Sequence, residues 1–126
     1  MVDTTMLDRP WVASELQARC TRELRDALQQ RRAIALFGAG QTGRLLAGLL
    51  GDAVQLVLDD TPAKAGTLLL GKPVMPVDEG LRRLPEGALV IVCIFSAGHQ
   101  LPCTRERLVQ RPDLVVCSFA QVLHLH

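Results

Sequence analysis

Hydrophobic residues are distributed along this chain in two patterns, a helical spacing and short continuous runs. Near the start, Leu16, Cys20, Leu24 and Leu28 recur every four residues among arginines and glutamates. Apolar residues at this spacing lie on one side of a helix, so the pattern predicts an amphipathic helix over about 13–30. We expect its apolar face to cover a sheet, since its mixed acidic and basic residues are not typical of a nucleic-acid-binding arm.

Four short, mainly apolar segments rich in valine, isoleucine and leucine predict strands. They are Ala33–Phe37, Val54–Leu58, Ala88–Phe95 and Leu114–Cys117. The third run is apolar on both faces, which is typical of a central strand in a parallel sheet covered by helices. A further strand, Pro73–Pro76, is predicted to lie at an edge, because each proline lacks the N–H that a sheet ladder needs.

Helical patterns separate these strands, with glycine or proline near their ends. The predicted helices span Gln41–Leu50, Val77–Arg83, about Pro102–Gln110 and about Ser118–Leu125. Strands that alternate with helices predict an α/β fold, here a three-layer doubly wound parallel sheet with right-handed crossovers. We expect the Rossmann-like strand order 3-2-1-4-5, with one extra helix at the N-terminus.

The domain organisation follows from the absence of repeats and linkers in the sequence. We predict a loose lead-in over 1–12 and a single domain over 13–126. Between the second strand and the edge strand, Ala63–Lys72 is predicted to be a loop with Gly66 and Gly71 as turn points. The sequence ends directly after its last predicted element, which suits either a complete small protein or one domain of a longer polypeptide.

Composition limits the classes of function. Hydrophobic residues make up 48% of the 126, which excludes a disordered chain. The net charge of +1 gives no electrostatic basis for binding DNA, RNA or an anionic membrane. No apolar run approaches the roughly 20 residues of a membrane span and no secretory pattern is present, so we expect a cytoplasmic protein. The four cysteines are scattered without a C-x-x-C pair, which predicts reduced thiols and no metal site.

A glycine-rich turn follows the first predicted strand and opens the second predicted helix. Gly38, Gly40 and Gly43 have the G-x-G-x-x-G spacing of a dinucleotide-binding turn. The first glycine allows the chain to leave the strand sharply, the second lets the backbone approach a phosphate, and the third lets the helix pack closely on the strand. The first N–H groups of the helix have no carbonyl partner and suit a phosphate or pyrophosphate. The alternative is a Rossmann-shaped scaffold whose site is empty or degenerate.

Two acidic residues, Asp59 and Asp60, end the second strand. They lie about 20 residues after the glycines, where a dinucleotide site has the carboxylate that binds the ribose hydroxyls. Side chains alternate along a strand, so only one of the two is expected to reach a ribose, and we favour Asp59. A carboxylate there repels a 2′-phosphate and therefore favours NAD over NADP. The alternative is that Asp60 merely initiates a turn.

Other polar side chains are expected around the same crevice. Gln41, Thr42 and Arg44 begin the second helix and can contact phosphate; the Arg44 guanidinium is either a bidentate clamp or a solvated surface group. Ser96 and His99 follow the central strand at its carboxyl end. His99 is the candidate for acid–base chemistry, although a lone loop histidine is more often a surface residue.

Three blocks of sequence together resemble a known kind of domain. They are Phe37-Gly-Ala-Gly-Gln-Thr-Gly-Arg44, Leu58-Asp-Asp-Thr-Pro-Ala-Lys-Ala-Gly66 and Leu70-Gly-Lys-Pro-Val74. Over roughly residues 33–120 the chain is similar to the Rossmann-like domain at the front of three kinds of protein. These are FkbM-type methyltransferases and the nucleotide-sugar dehydratases/epimerases and sugar N-acetyltransferases of polysaccharide biosynthesis. The resemblance implies binding of a nucleotide or nucleotide-sugar through Gly38, Gly40, Gly43 and Asp59, with catalysis in another domain that does not follow here.

We therefore predict a non-catalytic nucleotide-binding module of a sugar-modifying or methyltransferase-associated protein, with NAD or a nucleotide-sugar as ligand. Its further expected partner is a second copy, in a homodimer, or a covalently linked catalytic domain. Two alternatives remain open. One is a small NAD-dependent oxidoreductase that uses His99. The other is a Rossmann-shaped interaction or dimerisation domain with an empty site, pairing through the apolar face of 13–30.

Overall fold

The computed structural model describes residues 10–93, 108 and 110–118. Its elements are α1 (Pro10–Gln30), β1 (Ile34–Phe37), α2 (Gln41–Leu50), β2 (Val54–Leu58), β3 (Leu68–Leu69), β4 (Lys72–Met75), α3 (Val77–Arg83), β5 (Leu89–Val92) and β6 (Val115–Ser118). A single 3-10 turn over Gly51–Ala53 joins α2 to β2. Because α1 begins at Pro10, the last three residues of the predicted lead-in are helical. The predicted helices after Pro102 and after Ser118 lie outside the described residues, apart from isolated positions.

Six strands in the described part of the chain form one sheet, in the order β3-β4-β2-β1-β5-β6. The central strand β1 pairs in parallel with β2 and β5, and Ile34 lies opposite both Val54 and Leu89. The strands β4 and β6 extend the sheet in parallel on its two sides. The predicted order 3-2-1-4-5 is thus confirmed for the five parallel strands, and one antiparallel strand is added outside β4. The carboxyl ends of the parallel strands meet at one edge of the sheet.

Both faces of the central strands are buried, because helices pack on each side of the sheet. Ile34 and Leu36 belong to a core cluster that includes residues of α1 and α2. Ala35 and Phe37, which point the other way, belong to a cluster that includes residues of α3. All four residues of β5 are buried as well. The predicted three-layer α/β fold is confirmed, and it is the reason that these strands read as continuous apolar runs.

The helix α1 packs on the sheet through the apolar face that its sequence predicts. Cys20, Leu24 and Ala27 are buried against the sheet, whereas Leu28 is exposed. A four-residue repeat drifts away from the 3.6-residue helical period, so Ala27 occupies the inward position that the spacing assigned to Leu28. In the described part of α1, the face proposed for pairing with a partner is therefore covered by the protein's own sheet.

No helix among the described residues combines the length and apolarity needed to cross a bilayer.

The stretch Ala63–Lys72, predicted to be a loop, contains the short strand β3. This strand pairs antiparallel with β4, so β4 is not the edge strand that its prolines predicted. Pro73 is tolerated because the parallel pairing of β4 with β2 begins only at Val74. Leu70 and Gly71 connect β3 to β4 with φ of 49° and 84°, and hairpin turns of type I′ require positive φ at both central residues. The hairpin closes the β4 side of the sheet.

Candidate functional site

The glycine turn between β1 and α2 has the geometry that its spacing predicts. Gly38 has a φ of 118°, and its N–H donates to the carbonyl of Leu58 at 2.8 Å, which ties the turn to the end of β2. A Cβ at Gly43 would overlap the carbonyl oxygen of Gly38, so only glycine allows α2 to pack this closely. A Cβ at Gly40, by contrast, would meet no atom within 4 Å. The second glycine therefore borders open space in front of the turn.

The amino end of α2 lies beside this open space. Gly40 is the N-cap residue, with φ −87° and ψ −159°, and no side chain caps the helix there. The first backbone hydrogen bond of the helix runs from the N–H of Arg44 to the carbonyl of Gly40, at 3.0 Å. The amides that precede Arg44 in the first turn have no carbonyl partner within the helix, and they carry its positive dipole end. This arrangement suits an anionic group.

Asp59 connects the end of β2 to the glycine turn. Its Oδ2 accepts a hydrogen bond from the N–H of Ala39 at 2.8 Å, and its Oδ1 accepts one from the N–H of Thr61 at 2.8 Å. Burial acts to raise the pKa of Asp59, but the hydrogen bonds from Thr61 and Ala39, together with the nearby charge of Lys64, bring it below its ordinary value. The carboxylate is therefore ionised and half-buried beside the turn.

Asp60 points away from the turn, as the alternation of side chains along a strand predicts. Its Oδ1 accepts a hydrogen bond from the N–H of Val77 at 2.9 Å, at the start of α3. The carboxylate thus satisfies an amide that has no partner within that helix. Asp59 therefore hydrogen-bonds to the glycine turn, and Asp60 hydrogen-bonds to the start of α3.

Lys64 is a further charged residue at the turn, and the sequence reasoning gave it no role. Its Nζ donates to the carbonyl of Ala39 at 3.3 Å, on the same residue whose N–H binds Asp59. The lysine occupies the Pro-x-Lys-x-Gly segment that ends at Gly66, which follows the second strand in sequence. That position, in the loop after the predicted ribose-binding carboxylate, was the signal that could have identified it.

The remaining predicted site residues occupy different places. Thr42 is half-buried in the first turn of α2. Gln41 and Arg44 are exposed and line a shallow depression of about 450 Å³ on the outer side of α2, together with Leu45, Gly48, Leu49 and Leu70. Ser96 and His99 lie outside the described residues. Roles for all five residues in ligand binding stay predictions.

The described cysteines are buried in the core. Cys20, Cys93 and Cys117 form no disulfide. In the part of the chain that the structure describes, no three residues among histidine, cysteine, aspartate and glutamate are grouped as metal ligands. Burial raises the pKa of the Cys93 thiol to about 12, so that it behaves as an apolar core residue at neutral pH.

The fold is similar to that of RSP, a Rex-family repressor. One RSP structure gives a TM-score of 0.54 at 20% sequence identity, covering 83% of this chain and 59% of that chain. RSP in complex with β-NADH gives a TM-score of 0.50 at 18% identity, covering 69% of this chain and 52% of that one. RSP in complex with β-NAD⁺ and operator DNA gives 0.52 at 18% identity, covering 75% and 53%. At these identities the likeness establishes a Rossmann-like fold.

The matches leave much of the RSP chain without a counterpart. This chain spans between 52% and 59% of the length of the RSP chains it matches. No protein-family model matches the chain, and no curated protein sequence matches it either. The predicted link to methyltransferases and sugar-modifying proteins receives no support from these comparisons.

Proposed function

We propose that this chain is a nucleotide-binding module that holds NAD, oxidised or reduced, at its glycine turn. The observation that carries the proposal is the contact of Asp59 with the N–H of Ala39, which sets an ionised carboxylate beside the uncapped amino end of α2. A dinucleotide site needs both features side by side, because the donors bind its pyrophosphate and the acceptors bind the hydroxyls of a ribose.

The chemistry of each group supports this ligand class. The pyrophosphate would accept hydrogen bonds from amides in the first turn of α2, and the open space at Gly40 lets it approach the backbone. The Asp59 carboxylate accepts bonds from the amides of Ala39 and Thr61 and from the Thr61 side chain, and a carboxylate has about four acceptor sites. The remaining site would accept a ribose hydroxyl.

The choice of NAD within this class rests on the fold comparison. RSP, on a similar fold, is found in complex with β-NADH and with β-NAD⁺. A nucleotide-sugar also carries a pyrophosphate and a ribose, so the resemblance to domains of polysaccharide biosynthesis makes it the other ligand to test. Because RSP is also found with operator DNA, a DNA duplex belongs in the same panel.

The proposal is tested by thermal unfolding of the purified chain with each of NADH, NAD⁺, UDP-glucose, S-adenosylmethionine and a DNA duplex. A ligand that binds only the folded state stabilises it by about 2.7 kcal/mol when present at 100 times its Kd. We expect a saturable rise in Tm with NADH or NAD⁺ and no rise with S-adenosylmethionine or DNA. A rise with UDP-glucose alone would replace NAD by a nucleotide-sugar, and a flat response to every compound would refute nucleotide binding.

A matched pair of variants locates the binding. Gly40→Ala places a methyl group in the open space in front of the turn, and Gly48→Ala places the same group two turns later on α2, in ordinary contact with Leu70. We expect the first variant to lose the NADH-induced rise in Tm and the second to keep it. Equal responses of the two variants would move the ligand away from the glycine turn.

A further inference from the structure

Lys64 brings a positive charge to the place where the proposed site would hold a ribose. Its Nζ contacts the carbonyl of Ala39 at 3.3 Å, and the N–H of the same residue binds Asp59. The side chain of Lys64 is half-buried, and its charge acts on the Asp59 carboxylate. One residue of the turn, Ala39, therefore contacts both an anion and a cation.

The loop that carries Lys64 is held by its own hydrogen bonds. Lys64 N–H donates to the carbonyl of Thr61 at 2.9 Å, and the Thr67 hydroxyl donates to the carbonyl of Lys64 at 2.6 Å. Gly66 N–H donates to the carbonyl of Val74 at 3.0 Å, which fastens the loop to β4. Since Asp59 also binds Thr61, the backbone of this loop fixes the position of the lysine relative to the carboxylate.

We infer that Lys64 is a specificity-determining residue, which lets the site accept a ribose that carries a 2′-phosphate, so that NADPH binds as well as NADH. This inference rests on the proposed function. An aspartate alone at the end of the second strand repels a 2′-phosphate, and a neighbouring basic side chain accommodates it. Here the side chains of Asp59 and Lys64 both hydrogen-bond to the backbone of Ala39. Their opposite charges therefore offset each other where the 2′ substituent of the ribose would lie.

The test compares the affinities of NADH and NADPH for the whole chain by fluorescence titration. Lys64→Gln removes the charge and keeps a side chain that donates a hydrogen bond. Lys64→Arg keeps the charge. The matched control is Lys72→Gln, which changes the chain's other lysine; Lys72 begins β4 at the opposite end of the sheet and pairs with Asp52 at 3.7 Å.

We expect the wild-type chain to bind NADPH within about tenfold of NADH, and Lys64→Gln to weaken NADPH about tenfold more than NADH, because a charge-assisted bond to phosphate is lost. Lys64→Arg and Lys72→Gln should keep the wild-type ratio. An unchanged ratio in Lys64→Gln, or a wild-type chain that binds NADH and excludes NADPH, would overturn the inference and leave the proposed function standing. Binding of neither nucleotide would overturn both.

Discussion

The Oδ2 of Asp59 lies 2.8 Å from the amide nitrogen of Ala39, so the end of β2 and the glycine turn are joined by a charge-assisted hydrogen bond. The second carboxylate oxygen binds the amide of Thr61 at the same distance. One side chain therefore positions both the turn in front of α2 and the start of the loop that carries Lys64.

Replacing Asp59 by asparagine should weaken both the fold and the proposed site. An asparagine has only one carbonyl oxygen, so either the Ala39 or the Thr61 amide would face an NH₂ group. We expect Asp59→Asn to lower the free energy of unfolding by about 1–2 kcal/mol, which urea titration measures. Asp60→Asn is the control, because it leaves the hydrogen bonds of Asp59 to the turn in place. A larger loss of NADH binding in Asp60→Asn than in Asp59→Asn would contradict the role assigned to Asp59.

The contribution of Asp59 to stability should depend on pH in a defined direction. The pKa of Asp59 is lowered in the folded state, so its carboxylate stabilises the fold above about pH 4, the ordinary value for aspartate. That stabilisation is lost as the pH falls through the folded-state pKa. The difference in the free energy of unfolding between wild type and Asp59→Asn should therefore shrink between about pH 5 and pH 2. Other acids with a lowered pKa, such as Asp113, are present in both proteins, so their contributions cancel in this difference. A constant difference over this range would show that Asp59 acts through packing alone.

The third glycine of the turn should tolerate no side chain. A Cβ at Gly43 overlaps the Gly38 carbonyl oxygen, and overpacking of this kind costs about 1–3 kcal/mol. Gly40→Ala, by contrast, should change stability by less than about 1 kcal/mol, the difference between a glycine and an alanine cap. Thermal unfolding of the two variants gives the comparison. Equal destabilisation would mean that α2 does not pack on the turn as described.

Leu70 offers a stabilising substitution. A leucine with a φ of 49° is unfavourable, and asparagine adopts this conformation more easily. Because Leu70-Gly71 forms the hairpin turn, Leu70→Asn creates the Asn-Gly pair that such turns prefer, and we expect a gain of about 0.5 kcal/mol. Leu68→Asn is the control on the neighbouring exposed position, and it should not raise the Tm. A fall in Tm for Leu70→Asn would contradict the turn geometry.

The thiol of Cys93 should react slowly in the folded protein. Burial raises its pKa to about 12, so its thiolate fraction at pH 8 is about 10³-fold below that of an unfolded cysteine. Alkylation with iodoacetamide, followed residue by residue by peptide mass spectrometry, measures the ratio of rates in buffer and in urea. Labelling of Cys93 at the same rate in both conditions would refute its burial.

The fold was predictable from sequence because its signals are local. Continuous apolar runs in β1 and β5 predict strands covered on both faces, and the glycine turn gives the position of α2. The hairpin between β3 and β4 was missed for two reasons. β3 is only two residues long, and its turn begins with Leu70, a residue that carries no turn signal of its own.

The candidate site was predictable only in part. The spacing from the glycines identified Asp59, because the strand order brings the ends of β1 and β2 together. The contact of Lys64 with Ala39 depends on how the loop after β2 folds back, through bonds such as that from Gly66 to Val74. Such bonds join backbone groups of any residue type, so the Pro-x-Lys-x-Gly segment indicates the lysine but not the carbonyl group that it contacts.

The most direct test of the account is a calorimetric titration of the wild-type chain and of Gly40→Ala with NADH. We predict a saturable heat with one NADH per chain for the wild type, and a loss of that heat in a Gly40→Ala protein that unfolds at nearly the same temperature. Absence of heat in the wild type, or equal binding by both proteins, would contradict the claim that the glycine turn holds a dinucleotide.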